Sequence, residues 1–261
     1  MDQPKPASLL AIATTAAEEA AAFLRERFAQ PRTGVGTKST ATDMVTDSDR
    51  ASERLIVARI LAVRPDDAIL GEEGGGRDGT SGLRWVIDPL DGTTNFLYGI
   101  PAFAVSIAVE RDGEALVGVV ADVIRGETFA AAVGEGATCD GRAIHVSDNA
   151  TLATALAGTG FGYDADRRRR QIAVVSRLLP HIRDIRRGGS ASLDLCYLAS
   201  GRLDAYFEAG LGHWDYAAGA LIIREAGGLA EFVEIDQGLP PALVAANPAL
   251  FPAFRAALVA G

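Results

Sequence analysis

The chain has little that cross-links and no long uninterrupted apolar run. Its two cysteines, Cys139 and Cys196, form no close pair, so neither a disulfide framework nor a thiolate zinc site is expected, and a cytoplasmic location is the default. The three histidines, His145, His181 and His213, lack metal-ligand spacing. No apolar stretch reaches the roughly 18 residues of a membrane span. The segment Ala7 to Ala17 runs directly into Glu18 and Glu19, which suits a surface helix better than a leader. Lys and Arg together number 25 against 34 acidic residues, a net charge of −9. That balance disfavours nucleic acid and anionic membranes as partners. An acidic chain acting on an anionic substrate needs a bridging cation.

With 261 residues, 48% of them apolar, the chain can bury a substantial core. Residues 6 to 29 predict an alanine-rich helix, followed by a loop from Arg32 to Gly36. A second helix is expected from about Ser48 to just before Pro65. Apolar segments at 68–70, 83–87, 103–109, 115–120 and 127–132 predict strands, with Arg111-Asp112-Gly113 as a hairpin turn. From about Ser147 strands and helices alternate. The expectation is α+β for residues 1–146 and α/β for residues 147–261, packed tightly because no Pro- or Ser-rich linker divides them. The glycine-rich stretch Gly71 to Gly82 predicts a mobile loop and a candidate lid.

Chemistry concentrates in a few acidic positions. Asp88 precedes Pro89, and Asp91-Gly92 is a turn signal. A turn across Asp88 to Asp91 would bring the two carboxylates to one point, where they repel unless a proton or a cation intervenes. Oxygen-only ligands suit Mg²⁺. Glu72 and Glu73 on their own read as a solvated loop, and Asp215 as a helix cap. Their coincidence with Asp88 and Asp91 changes that reading.

These segments resemble the inositol monophosphatase family. The resemblance rests on Gly71-Glu72-Glu73, on the run from Trp85 through Asp88, Pro89, Leu90, Asp91, Gly92, Thr93, Thr94 and Asn95 to Phe96, and on Trp214-Asp215 followed by Gly219. Lys38 to Asp49 matches the family's amino-terminal signature, so similarity spans about Ser8 to Asn247. It implies a layered α-β-α-β-α sandwich of the sugar phosphatase type, usually a homodimer, with two to three Mg²⁺ ions per site. Glu72, Asp88 and the Leu90 carbonyl would hold one ion, and Asp88, Asp91 and Asp215 another. Thr93, partnered by Asp49, would orient the attacking water, with Glu72 also contributing to catalysis. Gly92 and Thr93 would face the phosphate, while Asp91, Gly189, Ser190, Ala191 and Glu208 would hold substrate hydroxyls. Lys38 is a possible electrostatic contributor. Tyr98 departs from the family, standing where a histidine is common.

The implied activity is lithium-sensitive hydrolysis of inositol monophosphate or a related polyol or sugar phosphate. Fructose-1,6-bisphosphatase and histidinol-phosphate phosphatase share the scaffold. Some bacterial relatives also act in RNA transcription complexes. Two features carry no functional assignment: Gly158-Thr159-Gly160-Phe161-Gly162 fails the dinucleotide spacing and reads as a turn, and Arg167 to Arg170 reads as a solvated helix face.

Overall fold

The computed structural model describes residues 5–30, 35–38, 44–74 and 76–259. The loop expected from Arg32 to Gly36 lies largely outside them, as does much of the signature between Lys38 and Asp49. Two short strands, β1 (Gly36–Thr37) and β2 (Met44–Val45), pair antiparallel. The first large sheet contains β3 (Ala68–Gly71), β4 (Leu83–Asp91), β5 (Ala104–Arg111), β6 (Glu114–Asp122), β7 (Thr128–Ala132), β8 (Ala137–Cys139) and β9 (Arg142–Ala143), side by side in that order. Only β3 and β4 run parallel. The second sheet contains β10 (Leu156–Thr159), β11 (Asp184–Arg186), β12 (Ala205–Ala209), β13 (Leu229–Val233) and β14 (Ala242–Ala246), in the order β11-β10-β12-β14-β13. In it β10 runs parallel to both its neighbours.

Among the described residues, seven α-helices complete the layers: α1 (Pro6–Phe28), α2 (Asp47–Val63), α3 (Thr93–Tyr98), α4 (Ala165–Leu178), α5 (Ala191–Ala199), α6 (His213–Glu225) and α7 (Phe251–Val259). Helices α1 and α2 cover one face of the first sheet, α5 and α6 lie between the sheets, and α4 and α7 cover the far face of the second. The expected α-β-α-β-α sandwich is the fold. The period-2 alternation of strand side chains produces it. Trp85 and Ile87 of β4 point to the outer core, whereas Val86 between them joins the central one. On β12, Tyr206 faces the centre, and Ala205 and Phe207 face α4 and α7.

By length and mean hydropathy α1 is apolar enough to cross a membrane, and 39% of that window is buried against the rest of the protein. The buried share is one stripe, Leu9, Ala13, Ala16, Ala17, Ala20, Ala21 and Leu24, at helical spacing. That stripe packs on β5 and β6. In the middle layer, a Cβ on Gly118 of β6 would lie 2.7 Å from the Ala218 carbonyl of α6. Glycine there lets helix and sheet touch backbone to backbone.

The glycine-rich stretch after β3 departs from the expected lid in its described part. Arg77 exchanges backbone hydrogen bonds with Ile69 at 2.9 and 3.0 Å, and the Asp66 carbonyl accepts from Thr80 and Ser81. These bonds pin the segment to the sheet edge.

Candidate active site

The Asp88 to Asp91 segment is not the expected turn. It belongs to β4, where Asp88 pairs with Ser106 and Asp91 with Ala104, a register shift that inserts one extra residue. Pro89 has no N–H for the ladder, which suits a bulge. In a regular strand residues i and i+3 point to opposite faces; the extra residue turns both carboxylates to the same side. Ser52 of α2 donates to the Pro89 carbonyl at 2.9 Å and holds the bulge from behind.

Carboxylate oxygens of Asp88, Asp91 and Asp215 lie within 4.8 Å of one another. Asp215 arrives on the first turn of α6, where one of its oxygens also caps the helix by accepting from Gly212 N–H at 2.7 Å. The capping and cluster readings of Asp215 therefore coexist. Asp91 divides its oxygens too: Oδ2 accepts from Ser190 Oγ at 2.6 Å, from Ser192 N at 2.7 Å and from the Ser192 hydroxyl. Ser192 was not identifiable from sequence. Its only signal was its place two residues beyond the loop serine.

Burial, followed by the like charges of Glu72, Asp91 and Asp215, pushes the Asp88 carboxyl well above its ordinary range. Burial does the same to Asp215, reinforced by Asp91 and Glu72. A bare cluster of this kind is electrostatically costly, and a divalent cation removes the cost. The donors are hard oxygens, as Mg²⁺ prefers. Glu72 adjoins Asp88 and is bound by Lys38 at 2.8 Å, and Lys38 also contacts Glu73. Burial works against the Lys38 charge, but Glu72 and Glu73 raise its pKa overall.

Asp49 sits beneath the cluster, fully buried. Thr46 and Asp49 form a capping box at the start of α2. Asp49 Oδ2 accepts from Thr46 N–H at 2.9 Å and from the Thr46 hydroxyl, while Oδ1 accepts from Thr93 Oγ1 at 2.9 Å. Thr93 starts α3, just after Gly92 at φ +99°. A Cβ on Gly92 would lie 3.1 Å from Ala102 O and 3.2 Å from Gly189 O, so both the conformation and the close approach require glycine. Asn95 was also missed as a site residue. It donates to Ala102 O at 2.7 Å and Gly188 O at 2.9 Å, tying the central motif to the loop of Gly189 and Ser190.

The cleft holds about 270 Å³ and gathers Lys38, Glu72, Asp88, Leu90, Asp91, Gly92, Thr93, Gly189, Ser190, Ala191, Glu208 and Asp215. Every predicted site residue except the underlying Asp49 lines it. Tyr206 donates to Glu208 Oε2 at 2.6 Å. Burial lifts Glu208 to about 7 against the opposing pull of Tyr206 and Arg187. A Cβ on Gly160 would collide with the Glu208 carboxylate, so the supposed dinucleotide turn is what makes room for it. Arg167, read from sequence as part of a solvated face, is half-buried in the cleft wall. His213 does not line the cleft. It bonds Glu110 Oε1 at 2.5 Å and the Tyr216 hydroxyl at 2.8 Å, anchoring the start of α6 to β5.

Comparison with known proteins finds relatives over nearly the whole chain. Residues 5–254 match the model of the inositol monophosphatase family. An inositol-1-monophosphatase of Mycobacterium leprae is 45% identical, the match covering 97% of this chain and 94% of that protein. A protein of Pasteurella multocida named Nus factor SuhB is 45% identical over 85% of this chain and 84% of its own. The solved inositol monophosphatase of Anabaena (Nostoc) sp. PCC 7120 superposes with a TM-score of 0.82 at 36% identity, covering 96% of this chain and 95% of that one.

Proposed function

The chain belongs to the inositol monophosphatase family of metal-dependent phosphoric monoester hydrolases, and on that premise we propose that it hydrolyses inositol monophosphate or a related small polyol or sugar phosphate with Mg²⁺. The observation that carries this reading is the convergence of Asp88, Asp91 and Asp215 beside Glu72. Glu72, Asp88 and the Leu90 carbonyl would hold one ion, and Asp88, Asp91 and Asp215 a second. The commitment of Asp91 Oδ2 to Ser190 and Ser192 leaves Oδ1 as the oxygen that would ligate the ion, and no free oxygen for the substrate hydroxyl expected of Asp91 from the family resemblance. Bound there, Mg²⁺ supplies a water of lowered pKa and a countercharge for the leaving ester oxygen.

The protein's own groups do the positioning. The Thr93 hydroxyl donates to Asp49 Oδ1 at 2.9 Å, with the Leu90 carbonyl a longer second acceptor at 3.2 Å, and its lone pairs are left to accept from the attacking water. Gly92 and Thr93 main-chain N–H groups supply donors for the phosphate oxygens. Glu208, with Gly189, Ser190 and Ala191, holds the polyol hydroxyls. Lys38 keeps Glu72 in place and offsets charge beside the phosphate.

We further infer a cytoplasmic homodimer with two to three Mg²⁺ ions per site and sensitivity to Li⁺. The Nus factor names of several relatives support a second reading, a role in an RNA transcription complex. That role would survive loss of the acidic cluster. The test is phosphate release from inositol 1-phosphate, fructose 1,6-bisphosphate and histidinol phosphate, with and without EDTA. EDTA-sensitive release from inositol 1-phosphate is expected; no release from any ester would reject the enzymatic reading.

A further inference from the structure

Asp88 and Asp91 belong to β4, whereas Asp215 reaches the cluster from another element, the first turn of α6. Repulsion among the three carboxylates pushes that turn outward. Two buried side chains on the central face of β5, Ser106 and Glu110, hold it back. Ser106 pairs in register with Asp88 and donates to the Trp214 carbonyl at 3.4 Å. Glu110, only 2% exposed, meets His213 Nε2 at 2.5 Å through Oε1. Its other oxygen is taken by Arg84, the residue opposite it on β4, at 2.7 Å.

The His213 ring is engaged on both sides. A carboxylate oxygen only accepts, so Nε2 donates to Glu110, while Nδ1 lies 2.8 Å from the Tyr216 hydroxyl. The Tyr216 ring packs edge-on against both His213 and Phe232, with centroids 5.0 Å apart in each pair. The turn itself is tightly wound: Asp215 Oδ2 accepts from Gly212 N–H at 2.7 Å, and a Cβ on Gly212 would lie 2.8 Å from the Trp214 ring. Residues 212 to 215 therefore move as one piece, and a shift of His213 shifts the Asp215 carboxylate. His213 and Glu110 both lie outside the cleft lining. Burying the Glu110 charge costs free energy that an apolar residue would not.

We propose that Glu110 and His213 are positioning residues for the metal cluster: the pair sets the place of Asp215, and thereby the affinity for the ion that Asp215 would share with Asp88 and Asp91. This rests on the metal-site reading above. A ligand already held at its bound position spares the ion the cost of drawing it in, and loss of such a partner typically weakens metal binding ~10- to 100-fold. A merely structural pair would lower stability and leave the affinity alone.

The experiment measures Mg²⁺ affinity by calorimetry on the full-length protein, together with melts with and without Mg²⁺ and turnover of inositol 1-phosphate as Mg²⁺ is raised. The variants are His213→Ala, Glu110→Ala, His213→Gln, whose amide N–H can still reach Glu110, and Glu110→Gln, which keeps the shape and loses the charge. Asp67→Asn, which disturbs a buried bond to Trp85 away from α6, is the destabilised control. Either alanine should raise the Mg²⁺ Kd about tenfold, raise the half-activating Mg²⁺ concentration in parallel, and shrink the gain in Tm on adding Mg²⁺. His213→Gln should restore part of the affinity. Glu110→Gln should raise Kd about threefold, and it carries the test if an alanine prevents folding. Asp67→Asn should melt lower with an unchanged Kd. An unchanged Kd in every folded Glu110 and His213 variant, or an equal loss of affinity in Asp67→Asn, would overturn the proposal. Wild type that binds Mg²⁺ but releases no phosphate would reject the phosphatase reading, and the Kd comparison would still decide the proposal. Wild type that binds no Mg²⁺ would overturn the metal site and the proposal with it.

Discussion

Thr93 Oγ1 donates to Asp49 Oδ1 at 2.9 Å, joining the start of α3 to the capping box of α2 across 44 residues of sequence. This bond fixes the direction of the Thr93 lone pairs, and so the line along which a water can be held. Thr93→Val should lower kcat about 100-fold, the scale of a positioned acid-base group, with little change in KM. A kcat within twofold of wild type would remove Thr93 from the mechanism.

Glu208 offers a buried acceptor to substrate hydroxyls. Glu208→Gln should weaken inositol 1-phosphate about tenfold more than an aryl phosphate that has no hydroxyls to present. Because burial lifts Glu208 to about 7, its accepting form grows as pH rises through neutrality. The wild-type preference for the polyol should increase between about pH 6 and pH 8, and the variant should lose that slope. Equal losses on both substrates would argue against hydroxyl recognition at this position.

Lithium should inhibit turnover in a Mg²⁺-dependent assay, because a small monovalent cation entering a cluster of hard oxygens neutralises less charge than the divalent ion it replaces. Activity unaffected by millimolar Li⁺ would reject this.

Away from the site, buried Asp67 accepts from Arg64 Nε and Nη2 at 2.9 and 2.8 Å and from Trp85 Nε1 at 2.8 Å. Burial opposes ionisation, but these bonds hold its pKa below the ordinary carboxylate value. A depressed folded pKa contributes stability above the unfolded pKa and loses it as pH falls through the folded one. Asp67→Asn should cost about 2 kcal/mol at neutral pH, with the gap in Tm narrowing as pH falls below the ordinary carboxylate range. A gap independent of pH would contradict this.

Local pattern carried most of the fold. The helices at 6–28 and 47–63 and the strands of the first sheet follow from apolar periodicity and capping residues that act over a few positions. The site was legible where its residues share one segment, as Asp88, Asp91 and Thr93 do. Pairing decided the remainder. Whether Asp88 to Asp91 forms a turn or a bulge depends on β5 lying alongside, and whether the glycine-rich loop is free depends on the edge of β3. Arg167 of α4 and Arg187 after β11 line the cleft, while Ser192 of α5 and Asn95 of α3 hold its walls in place, and no spacing in the sequence reveals that these separate segments meet.

The central claim is that the carboxylate cluster is the catalytic metal site. Asp91→Asn removes one charge from it while keeping an oxygen that can accept from Ser190 and Ser192. Phosphate release from inositol 1-phosphate by this variant, folded as judged by its melt and assayed at saturating Mg²⁺, should fall at least about 100-fold. Release close to the wild-type rate would contradict the account.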